Sequence, residues 1–146
     1  MGQFTISRAM TAPADRVWEI VGNPGTTPGR GIVVEVERPA AENGSGLVRA
    51  VRIGRGTFRE QITSVGPGRR LTYRLLSGAP VREYLGTVDV AESGDGGSRV
   101  RWTVRYRPRF PGTGWLVAAL SKRSLNKVLD LVETQTKPAR PLGGGA

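Results

Sequence analysis

Arg49, Glu60, Tyr73 and Tyr84 carry polar chemistry in places where the surrounding pattern is apolar. Segments 47-53, 58-64, 70-76, 83-90 and 99-107 alternate apolar and polar side chains. In a half-buried strand, alternate side chains point to opposite faces. Leu47, Arg49, Val51 and Ile53 therefore share a face with Phe58, Glu60 and Ile62, and then with Leu71, Tyr73 and Leu75. Tyr84, Gly86, Val88 and Val90, followed by Val100, Trp102, Val104 and Tyr106, extend that face. The opposite face is rich in arginine and threonine and suits water. An ionised group is costly to bury unless it is paired. Arg49 and Glu60 must therefore pair with each other or face an internal, partly wet space. As a pair they form a charge-assisted contact that either fixes strand register or grips the polar edge of a ligand. A buried phenol normally finds a partner, so Tyr73 and Tyr84 either pack as amphipathic core or orient ligand oxygens. Trp102 and Tyr106 read as wall.

These elements fit one domain. At 146 residues the chain can bury roughly two thirds of its unfolded surface without staples. It has neither cysteine nor histidine, which excludes disulfides, thiol nucleophiles, imidazole bases and zinc sites of the usual kind. Asp89 has no carboxylate neighbour, so a metal is not expected, nor any other cofactor. The opening Met-Gly-Gln-Phe-Thr-Ile lacks the basic and apolar regions of a signal peptide, and no apolar run is long enough to cross a membrane. A cytoplasmic location is the expectation.

The net charge of +10 comes from 22 basic residues, 19 of them arginine, scattered without a Lys/Arg run. They read first as a solvated surface, then as a face for an acidic protein, and less readily as a nucleic-acid or membrane surface, since exposed aromatics are not interleaved with them. The Gly54-Arg55-Gly56-Thr57 stretch is not followed by a helix, so it reads as a hairpin rather than a phosphate cradle.

Residues 3-9 read as a first strand. Thr11-Ala12-Pro13 opens a helix with Val17, Trp18 and Val21 on its buried stripe, and a Gly/Pro-rich loop runs from Gly22 to Gly31. Residues 32-38 make a second strand and Glu42 to Gly46 a turn, after which the five alternating segments follow with tight Gly-rich joints. Strands in such unbroken succession predict an antiparallel meander. After Pro111-Gly112 the period becomes helical, with Val117, Leu120, Leu125, Val128, Leu129 and Val132 on one face. Ser121 and Ser124 break that stripe with small residues and leave room beneath them. Trp115, beside Phe110, reads as an anchor for the start of this helix or, second, as a cap on the cavity mouth. The domain is expected over residues 1-137, with 138-146 a flexible tail.

The opening ISRAMTAPADRVWEIV resembles the first strand and helix of the START-like, or SRPBCC, superfamily. The stretches GLVRAVRIGRGTFREQITSVGPGRRLTYRL, PVREYLGTVDV and SRVRWTV are similar to its central strands. The resemblance is to the polyketide cyclase/dehydratase branch and, more distantly, to plant abscisic-acid receptors. It implies an α+β helix-grip fold, in which a curved seven-stranded antiparallel sheet wraps a long C-terminal helix around an internal cavity. It also implies a hydrophobic, oxygenated ligand, with loops 22-31, 54-57 and 77-81 at the entrance. Many relatives carry a tryptophan in the loop after the first helix, where this chain has Asn23 to Arg30.

On the enzyme reading, Arg49 stabilises a carbonyl becoming an enolate and Glu60 moves the proton, with Tyr73 and Tyr84 orienting oxygens. Val51, Phe58, Ile62, Leu75, Trp102, Val104, Tyr106, Ser121, Ser124 and Leu125 are the expected ligand contacts. The alternative is a non-catalytic carrier or sensor using the same residues. A third reading docks the basic outer face on an acidic acyl carrier protein, RNA or lipid headgroups. A monomer or homodimer is expected.

Overall fold

The computed structural model describes residues 2–25, 29, 31–42, 44–66 and 68–137. In chain order the elements are β1 (Gly2–Met10), α1 (Ala14–Val21), β2 (Ile32–Arg38), β3 (Val48–Ile53), β4 (Gly56–Gly66), β5 (Arg70–Ser77), β6 (Val81–Glu92), β7 (Ser98–Pro108) and α2 (Gly114–Thr136). All strands join one seven-stranded sheet in the order β1-β7-β6-β5-β4-β3-β2. Every neighbouring pair is antiparallel. This is the helix-grip arrangement that the family resemblance implies. The expected tail from residue 138 onward, and Thr26, Thr27, Pro28 and Arg30 of the first loop, lie outside the described residues.

The strands β4 and β6 run longer than their alternating cores, with their outer ends still in register with neighbouring strands. Gly54, at φ 58, supplies the left-handed turn between β3 and β4. Pro13 stands one residue ahead of α1, with extended backbone. It directs Ala14 and Val17 into the core, while Trp18 and Val21 are half-buried.

The helix α2 lies against β1 and β7. Val117, Leu125, Leu129 and Val132 are buried there as the period requires. Its polar face is not simply solvated. Arg8 of β1 pairs with Asp130 and donates to Asn126 at 3.1 Å, and Lys122 lies 5.4 Å from the Phe4 ring centroid. Leu120 keeps to the inward face and lines the cavity, although it is 55 % exposed. One expectation about this helix is corrected: Trp115 is 73 % exposed and anchors nothing. The anchor is Tyr106, whose hydroxyl donates to the Gly114 carbonyl at 3.0 Å.

The opposite end of the molecule is closed and pinned. The fully buried Ser98 hydroxyl donates to the Ala12 carbonyl at 2.8 Å, and Arg16 Nε donates to the Thr136 carbonyl at 3.3 Å. Arg69, in the left-handed region at φ 55, pairs with Asp15 at 2.7 Å and so ties the β4–β5 turn to α1. Among the described residues no helix is long and apolar enough to cross a membrane.

Candidate functional site

Between α2 and strands β2 to β6 lies a cavity of about 400 Å³, within the range that holds a small organic ligand. It exists because α2 contacts the sheet on its β1–β7 side, while the strands beyond curve away beneath Ser121 and Ser124. Arg49, Glu60, Tyr73 and Tyr84 all line it, as do Val51, Phe58, Leu75, Trp102, Ser121, Ser124 and Leu125.

Three expected contacts lie elsewhere. Ile62, Val104 and Tyr106 are buried in solid core. Val104 and Tyr106 stand on β7, where α2 packs directly on the sheet; Trp102 on the same strand reaches the cavity by its size. Of the expected entrance loops, 77-81 contributes Gly78, Ala79 and Pro80 to the wall, whereas 54-57 contributes nothing. Strand alternation gave no sign of the wall formed by Ile20 and Val21 of α1, or of Phe110, Thr113 and Leu116 around the start of α2. Ile32 and Val34 of β2 also line the cavity, and the alternation of that strand would have given them if extended there.

Arg49 on β3 stands directly opposite Glu60 on β4. Its Nε donates to Glu60 Oε1 at 2.9 Å, and its Nη2 lies 2.9 Å from the same oxygen. The two side chains keep only 15 % and 14 % of their exposure. Nη1 donates to the Pro24 carbonyl at 3.0 Å. The guanidinium is thus occupied on three nitrogens, while no described residue bonds Glu60 Oε2 at the cavity wall. Arg49 orients Glu60 and pins the chain after α1.

The phenols form a second cluster. Tyr73 lies across Gly86, its partner on β6, where any Cβ would collide with the ring. The Trp102 indole Nε1 donates to the Tyr73 hydroxyl at 3.0 Å, with the two rings edge to face. Burial pushes Tyr73 well above the ordinary tyrosine value, reinforced by Tyr84 and by the charge of Glu60. Tyr84 is pushed up to about 12, chiefly by burial, with the Glu60 charge adding to it and hydrogen bonds from Ser121 and Tyr73 working against it. Both phenols are therefore neutral hydrogen-bond donors near pH 7. A carboxylate oxygen and a neutral phenol facing the same apolar space can respectively take a proton from carbon and hold a developing oxyanion.

Solved structures share this fold. The XoxI protein of Bacillus cereus is 21 % identical with a TM-score of 0.74, over 93 % of this chain and 96 % of that one. A START superfamily protein from Mycobacterium smegmatis is 15 % identical with a TM-score of 0.74, over 92 % and 97 %. Norcoclaurine synthase from Thalictrum flavum, seen with dopamine and hydroxybenzaldehyde, is 16 % identical with a TM-score of 0.74, over 95 % and 89 %. No curated protein matches the sequence. The family model described as polyketide cyclase / dehydrase and lipid transport matches residues 1–134, which takes in every strand and nearly all of α2. By that match across the whole cavity-forming unit, the chain belongs to the polyketide cyclase / dehydrase and lipid transport family.

Proposed function

We propose that the protein binds a hydrophobic, oxygenated small molecule in this cavity and acts on it as a polyketide-type cyclase/dehydratase. The observation that carries the reading is the convergence of Glu60 and Tyr84 on one otherwise apolar space. A carbon flanked by carbonyls has an acidic proton, which the Glu60 carboxylate removes while Tyr84 hydrogen-bonds the enolate oxygen. The enolate carbon attacks a second carbonyl of the same chain, and the new alkoxide takes back the proton that Glu60 removed. Glu60 then removes a further carbon-bound proton and passes it to the departing hydroxyl, which leaves as water. Trp102 and Tyr73 hold Tyr84 in place, and Arg49 acts as a positioning residue, because its donors are already engaged. Where such a substrate is delivered on a carrier, an acidic acyl carrier protein suits a chain of net charge +10.

The test is Glu60→Gln with a poly-β-ketone substrate. Turnover should fall by on the order of 10²-fold or more, with affinity changed by less than about threefold. The engagement of Arg49 on both Glu60 and Pro24 favours a second reading, that of a carrier with a rigid polar floor. Equal loss of affinity and turnover, or a ligand bound without conversion, assigns the protein to that class.

A further inference from the structure

At the open end of the cavity the β5–β6 connection and the chain entering α2 are joined. Val81 pairs with Pro108, and the Arg109 amide donates to the Pro80 carbonyl at 3.0 Å. One step further Glu83 stands opposite Arg107, so Arg82 is an extra residue on β6. A bulge of this kind re-aims a side chain away from strict alternation. Arg82 and Arg109 share a shallow depression with Leu75, Leu76, Gly78 and Ala79. Leu75, Gly78 and Ala79 also wall the deep cavity, so the depression adjoins it at the rim.

Charge at this rim is one-sided. Among the described residues, ion pairs engage Arg8, Arg49, Arg52, Arg59, Arg69 and Arg70. Among the described residues, neither Arg82 nor Arg109 has a carboxylate at ion-pairing distance. From Gly96 to Leu129 the sequence contains no Asp or Glu, so neither β7 nor the first half of α2 can neutralise the pair. The nearby carboxylate on β6, Glu83, stands across from Arg107. Two uncompensated guanidiniums next to an apolar hollow complement a molecule with an apolar body and an anionic end, and their planar donors fit carboxylate and phosphate alike.

We infer that this rim is an anion subsite. The ligand carries one terminal carboxylate or phosphate, held between Arg82 and Arg109, while its body lies in the cavity. Tyr84, at the cavity wall, follows Arg82 by two residues on β6, so the anionic end and the oxygenated centre are served by one strand. The inference rests on the hydrophobic-cavity reading above.

Dodecanoate, dodecyl phosphate and dodecanol share a tail and differ in headgroup, so titration calorimetry with the three separates the subsite from the cavity. The two anions should bind about tenfold more tightly than dodecanol, an advantage in keeping with two partly solvated charge pairs. Arg82→Ala/Arg109→Ala should abolish that preference and leave dodecanol binding unchanged, and Arg82→Glu/Arg109→Glu should reverse it. Arg99→Ala/Arg101→Ala, which removes two exposed charges from another part of β7, should keep it. Equal binding of all three probes overturns the subsite, as does an equal loss of preference in the Arg99/Arg101 variant, which would trace the preference to net charge. If not even dodecanol binds, the cavity reading fails and the subsite falls with it.

Discussion

Replacing Arg49 by Met should destabilise the fold more than replacing Glu60 by Leu, although the two residues share one ion pair. Removing one partner of a buried pair costs about 3–5 kcal/mol, because the other charge is left without compensation. Here the side chains keep 15 % and 14 % of their exposure, so some of that penalty is relieved by water, and about 2–3 kcal/mol is the expected cost of Arg49→Met. Among the described residues the donors to Glu60 all belong to Arg49, so the carboxylate loses every one of them. Glu60→Leu leaves Arg49 its bond to the Pro24 carbonyl, and roughly 1–2 kcal/mol is expected. The double variant keeps the volume and buries no charge, so it should return to within about 1 kcal/mol of the parent. Urea unfolding followed by circular dichroism gives the cycle, with a coupling of at least about 2 kcal/mol, and thermal unfolding should show a midpoint about 5–10 °C lower for Arg49→Met. Costs below about 0.5 kcal/mol for each single variant, adding without coupling, would show a solvated pair of the ordinary surface kind and refute the argument.

Other outcomes follow from the same geometry. Gly86→Ala should cost about 2–4 kcal/mol, since its Cβ must displace the Tyr73 ring and with it the Trp102 hydrogen bond, and a neutral result in urea unfolding would contradict that placement. Ser124→Leu should exclude the ligand while holding or raising the midpoint temperature, because it fills space at the cavity wall; unchanged affinity with unchanged stability would count against the assignment. With Tyr84 at about 12 in the fold and near 10 when unfolded, the stability this phenol contributes is complete below pH 10 and is lost as the pH rises from about 10 through 12. Phenolate absorbance and circular dichroism should therefore change together in that window, and Tyr84→Phe should flatten the alkaline loss; ionisation of Tyr73 and Tyr84 near pH 10 with the fold intact would be the contrary result.

The sheet was legible because its signal is local. The alternation of β3 to β7 states which side chains share a face, and Gly54 and the other glycine joints state where the chain reverses. The polar residues of the site were legible for the same reason, being out of place on an apolar face. How deep a hollow lies beneath a given residue is another matter, since it depends on where α2 touches the sheet. Val104 and Trp102 share the inward face of β7, yet one is core and the other wall. Tyr106 took the anchoring role expected of Trp115 because its hydroxyl reaches the Gly114 carbonyl, a tertiary contact without a sequence pattern. The third bond of Arg49, to Pro24, and the bulge at Arg82 are equally non-local, and both change what an arginine is free to do.

Solid packing and open space divide α2 around its circumference, with Leu125, Val128 and Val132 bordering the cavity and Leu129 turned away from it, and this division makes a hollow compatible with a stable fold. Toward its C-terminal end the helix is held by Arg8 on Asp130 and by Arg16 on the Thr136 carbonyl, with Leu129 fully buried away from the cavity. On the neighbouring face of the helix, Leu125 borders the cavity and lacks neighbours on that side. Truncating a side chain costs its transfer free energy plus the contacts that its surroundings cannot recover. Leu129→Ala should therefore cost about 3–4 kcal/mol, near the middle of the range for packed leucines, and Leu125→Ala only about 1–2 kcal/mol while enlarging the cavity. Ligand should then stabilise Leu125→Ala less than it stabilises the parent, because the wall that grips it has receded. Equal costs for the two leucines would mean that the helix is packed alike at both positions, and the space beneath Ser121 and Ser124 would not be there to hold anything.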